Sequence, residues 1–145
     1  QYFWSILDGV PGVKPHWPKD EGSTMAGLYA AHGLYYAEEL GGLSCEKFCE
    51  AVKAEIAPRQ VNPGANKPLH LHPLFHDADI FRMGKPTMIS FGQRDVRQGE
   101  GTLPVTESIG DISYYIPWFK HNRPEIIEEY ANAFKKVAEN ADELK

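Results

Sequence analysis

Between residues 63 and 101 the chain is broken at Pro63, Gly64, Pro68, Pro73, Gly84, Pro86, Gly92, Gly99 and Gly101, and no apolar period survives. Proline fixes φ and removes a backbone donor, and glycine weakens strand interiors. The regular elements must therefore lie mostly on either side. A stretch this long without its own period is usually functional, or packed against something else. Inside it, only residues 87–91 read as a short strand.

The flanks carry the periodic signals. Residues 1–9 read as the end of an amphipathic helix, stopped by Gly9 and Pro11. Val10-Pro11-Gly12-Val13 is a turn signal, and residues 14–24 read as an irregular or edge segment. Residues 25–36, apolar and rich in tyrosine, read as a buried strand that Gly27 and Gly33 weaken. Ser44 is placed to cap a helix, with Leu43 and Phe48 at the staple positions. Cys45, Phe48, Cys49, Val52 and Ile56 then form one apolar stripe, which ends before Pro58. Residues 57–62 read as a following strand. Residues 104–109 form a short helix opened by Pro104, and Tyr114-Tyr115-Ile116 a strand closed by Pro117. From Pro124 to Lys145 the stripe Ile127, Tyr130, Phe134, Val137, Ala141 and Leu144 predicts a long terminal helix. Three or four short strands mixed with helices, without regular βαβ alternation, predict an α+β fold: a small, mostly antiparallel sheet flanked by helices. At 145 residues the chain reads as one domain.

Charge narrows the partners. The net charge is −5, and the Lys and Arg residues form no stripe. Nucleic acid is a poor candidate, because phosphate neutralisation needs clustered cations. No apolar run approaches a membrane span. The two cysteines, Cys45 and Cys49, read as small buried thiols, which suits a reducing cytoplasm. The chain has no initiator methionine and is apolar from Tyr2 onward, so it reads as a piece of a longer polypeptide. A domain cut from its partner should expose apolar surface.

Residues that could carry chemistry are few. His70, His72 and His76, with Asp77 or Asp79, could assemble a zinc site, but the spacing is not a zinc signature. The pairs Glu38-Glu39, Asp77/Asp79 and Glu128-Glu129 read as solvated surface acids. Ser108 and Thr106 lack a nucleophile elbow. There is no phosphate-cradling glycine loop. Lys53, Lys135 and Lys136 fall on the wet faces of helices, and Lys67 and Lys85 in loops. None is a good lysine for a cofactor imine, which needs desolvation or a cationic neighbour.

Four motifs occur in a telling order: Pro68-Leu69-His70-Leu71, then Leu103-Pro104-Val105-Thr106-Glu107, then Tyr115-Ile116-Pro117-Trp118, then the helix from Pro124 to Lys145. In order and spacing they resemble the C-terminal end of the DegT/DnrJ/StrS sugar aminotransferases, fold-type I pyridoxal-phosphate enzymes. The helix and strand at residues 44–61 look like that family's preceding elements. The resemblance implies the small α+β domain that packs over the active-site cleft. It implies a parent enzyme that moves an amino group from glutamate or glutamine to a keto sugar or keto cyclitol, as a homo-oligomer. Pyridoxal phosphate and its lysine would reside in a large domain absent here, so this chain is not expected to catalyse alone. His70, matching the motif histidine, becomes the leading substrate-pocket candidate, with His72 and Glu107 behind it. A freestanding binding domain and a histidine-cluster metalloprotein are the alternatives.

Overall fold

Ser44 accepts a hydrogen bond from the Lys47 amide at 3.3 Å, the contact that starts a helix. From there the chain runs helically to Ile56, burying Cys45, Phe48, Cys49 and Val52 and half-burying Ile56, as the stripe predicts. The computed structural model describes residues 1–18, 20–23, 29–56 and 60–145. Among them lie α1 (Tyr2–Ile6), β1 (Val13–Pro15), β2 (His32–Tyr35), α2 (Cys45–Ile56), β3 (Asn62–Pro63), α3 (Pro73–His76), α4 (Pro104–Ser108), β4 (Ser113–Tyr115) and α5 (Pro124–Glu139), with four short 3₁₀ turns. The protein is α+β, with a four-stranded antiparallel sheet and five α-helices among the described residues. No helix among the described residues is long and apolar enough to cross a membrane. The chain divides into two compact units, Gln1–Ala65 with Asp111–Lys145, and Asn66–Gly110.

The first unit holds the whole sheet, ordered β1-β2-β4-β3. Both edges are short and carry a proline, Pro15 and Pro63, which blunts further strand pairing. Along β2 burial alternates with period two: Gly33 and Tyr35 are buried while His32 and Leu34 are half-exposed. The buried side meets α1, α2 and α5, whose apolar stripes supply Phe3, Phe48, Val52, Tyr130, Phe134 and Val137 to one core. Gly33 faces Tyr114 across the β2–β4 ladder. A Cβ on Gly33 would fall within 3.0 Å of Tyr114 Cζ and Oη and of Trp4 Cη2. The glycine is there because two aromatic rings occupy the space above it.

Three readings from the sequence change. Residues 25–36 give a strand only at His32–Tyr35, and residues 57–62 only at Asn62–Pro63; residues 25–28 and 57–59 lie outside the described set. The terminal helix ends at Glu139, and Ala141–Leu144 turns into a 3₁₀ helix. There the Asn140 side chain and its backbone amide both donate to the Lys136 carbonyl, at 2.7 and 3.1 Å, closing the helix end.

The second unit has no strand. Residues 87–91, expected as one, form a 3₁₀ turn at Thr87–Ile89. Thr87 is held locally: its hydroxyl donates to the Ala78 carbonyl at 2.8 Å and accepts from the Ile80 amide at 3.0 Å. A run of apolar residues with no neighbouring strand has nothing to pair with, and these side-chain bonds win. Asp79 similarly accepts from the Met83 and Gly84 amides at 2.9 and 2.7 Å, closing a turn through Arg82 at φ 54°. Only Ser90 is buried in this unit. Phe81 and Phe91 contact each other at 5.1 Å yet stay 52% and 76% exposed.

Candidate functional site

The Pro68-Leu69-His70-Leu71 segment folds as a 3₁₀ turn at Leu69–Leu71, opened by Pro68 in an extended conformation. That turn presents His70 to Glu107, 37 residues later, with Nε2 at 2.9 Å from Oε1. The pair is well sheltered, its side chains 9% and 16% exposed. Glu107 is itself fixed by backbone. Its Oε2 accepts from the Gly101 amide at 2.7 Å, and its Oε1 from the Leu103 amide at 3.0 Å. The second bond reaches back to the residue that precedes α4, much as the glutamate of a capping box does. These donors hold the Glu107 carboxyl below the usual carboxylate range: the Gly101 amide first, then Leu103, then the His70 ring.

Beside this pair lies a pocket of about 350 Å³ lined by Leu69, His70, Phe75, His76, Met88, Val96, Arg97 and Gln98. Its polar groups largely satisfy one another. His76 Nε2 lies 3.0 Å from the Gln98 carbonyl and also bonds the His70 carbonyl. Arg97 forks onto Asp95 at 2.7–3.1 Å and donates Nη1 to the His76 carbonyl at 3.0 Å. The Arg97 side chain, then its backbone amide, hold the Asp95 carboxyl down at about 2.

The structure thus brings together His70 and Glu107, and places His72 elsewhere. His72 is exposed and caps α3, its Nδ1 accepting from the Leu74 amide at 3.2 Å. Among the described residues no group of three or more His, Cys, Asp or Glu is placed to hold a metal ion. Cys45 and Cys49 are buried free thiols in the first unit. Sequence reasoning passed over Asp95 and Arg97, which build one wall. Their only signal is an acid two residues before an arginine in a glycine-rich stretch, a pattern too common to single out. No protein-family model matches the chain, and no curated protein matches it.

The electrostatics give a first expectation. Asp95 and Glu107 both have folded pKa values below their unfolded ones, about 3.9 and 4.3. Their stabilisation is therefore complete above those unfolded values and is lost as pH falls through the folded ones. The Gly101 and Leu103 amide resonances should follow Glu107 with a midpoint below about 4.3. A midpoint at or above that value would mean the carboxylate is not held.

Proposed function

We propose that this chain is the small domain of a sugar-type aminotransferase, one that moves an amino group from glutamate or glutamine onto a keto sugar or keto cyclitol. The observation that carries the reading is the ordered motif set from Pro68 through Leu103-Pro104 and Ile116-Pro117 to the terminal helix. Support comes from the antiparallel sheet flanked by helices, and from the sheltered His70 held by Glu107 where a substrate-facing group is expected.

The described residues do not fit pyridoxal phosphate by themselves. None of the described lysines is buried. Lys14, Lys136 and Lys145 are already paired with Glu39, Glu55 and Asp142. A lysine in water and neutralised by a carboxylate keeps its proton and makes a poor imine former. In this reading the cofactor and its lysine belong to a large domain of the parent polypeptide, where the pyridoxal ring supplies an electron sink. This chain contributes the substrate-facing His70, packing over the cleft, and exclusion of water from it. A homo-oligomer in the cytoplasm completes the proposal.

The coding DNA around this segment tests the reading. An open frame continuing upstream and encoding the cofactor lysine supports it, and the protein expressed from that frame should transfer nitrogen from glutamate to a keto sugar. A start codon beside Gln1 would favour a freestanding binding domain instead.

A further inference from the structure

We propose that the Asn66–Gly110 unit carries a small-molecule site in which Glu107 positions His70 to accept a hydrogen bond from a neutral ligand, one with a single hydroxyl or N–H on an apolar body. The proposal goes beyond the aminotransferase reading to a ligand other than its keto sugar; it rests on the His70–Glu107 contact and the pocket beside it, and on nothing about the cofactor.

The argument starts from donors and acceptors. Both Glu107 oxygens already accept backbone N–H bonds, so the carboxylate is an acceptor throughout, and the hydrogen it shares with His70 must come from Nε2. A neutral imidazole that carries its proton on Nε2 has a bare, accepting Nδ1. His70 Nδ1 has no protein partner among the described residues. Glu107 thus selects the tautomer, and with it the sign of what His70 can recognise.

The pocket sets the rest of the ligand. At about 350 Å³ it suits a small molecule, and its walls are Leu69, Phe75, Met88 and Val96 beside the His70 and His76 rings. An anion is not favoured, because the Arg97 charge is neutralised by Asp95, and one Nη1 donor goes to the His76 carbonyl. The His76 Nε2 position is filled by the Gln98 and His70 carbonyls. The rest of the wall is mostly apolar, with the His70 ring and its accepting Nδ1 in the lining.

The test uses the 145-residue chain with phenol and toluene, equal in shape but differing in the hydroxyl. Ring-¹⁵N spectra at alkaline pH should show His70 as a single Nε2–H tautomer. Phenol should bind about five-fold tighter than toluene, the worth of one net hydrogen bond. His70→Phe keeps a planar ring but has no nitrogen to accept, and should abolish that preference while Glu107 stays held by the Gly101 and Leu103 amides. Glu107→Gln puts an amide N–H among the backbone donors and should release His70 into a mixture of tautomers. An Nδ1–H tautomer in the native chain, or a phenol preference that survives His70→Phe, overturns the site. A single unchanged tautomer in Glu107→Gln overturns the positioning role. If Glu107→Gln does not fold, the native spectrum and the His70→Phe titration still decide. A parent enzyme without transaminase activity would sink the aminotransferase reading while leaving these outcomes as they are.

Discussion

Phe134→Ala is expected to remove about 3–5 kcal/mol of folding free energy, the usual cost of emptying a buried phenylalanine site. Phe134 is fully buried on α5, and its ring lies 5.4 Å from Phe3, 5.8 Å from Phe48 and 5.7 Å from Tyr114. Those neighbours come from α1, α2 and β4, so one side chain touches three other elements of the first unit. Alanine would leave a void that three aromatic rings cannot collapse into without leaving their own contacts. A domain of ordinary stability has only about 5–15 kcal/mol in total, so the variant should be near its unfolding threshold. Urea unfolding followed by tryptophan fluorescence measures this. Phe91→Ala provides the contrast, since Phe91 is 76% exposed and its loss should change stability by no more than about 0.5 kcal/mol. A Phe134→Ala chain as stable as Phe91→Ala would mean that the helices do not press on the sheet as described.

Gly33→Ala should be nearly as damaging, for the opposite reason. The added methyl would fall within 3.0 Å of Tyr114 Cζ and Oη and of Trp4 Cη2. Tyr114 is fully buried and Trp4 only 8% exposed, so neither ring can swing into solvent. Overpacking of this kind typically costs about 1–3 kcal/mol, and two immovable rings put this site at the upper end. Coupling makes the cause visible. In a Tyr114→Leu background the ring is gone, and the penalty of Gly33→Ala should shrink, giving a non-additive double-mutant cycle. Strict additivity would show that the glycine is required for some other reason.

The clearest elements in the sequence were those whose signals are local and repeated. Ser44, Leu43 and the Cys45–Ile56 stripe describe α2 because cap, staple and period all act within one helix. Pro124 and the Ile127, Tyr130, Phe134, Val137 spacing describe α5 in the same way. Residues 87–91 misled, because a β-branched and apolar run resembles a strand until Thr87 is seen bonded to Ala78 and Ile80. The extent of β2 and β3 was illegible, since strand length depends on partners far away in sequence. Within the candidate site, His70 and Glu107 could be named separately. Their pairing could not, because it depends on how the loop between Leu71 and Gly101 closes. His72 stood behind His70 as a pocket candidate, yet Pro73 starts a helix and turns its imidazole into a cap.

The aminotransferase reading can be tested by trapping. The complete protein encoded by the surrounding reading frame would be treated with borohydride in the presence of pyridoxal phosphate, and its peptides mapped by mass spectrometry. One stoichiometric pyridoxyl-lysine in a segment outside these 145 residues is the expected result. A stoichiometric adduct on a lysine within this chain, or no adduct anywhere, would contradict the view that a lid-forming domain, and not a self-sufficient one, has been described.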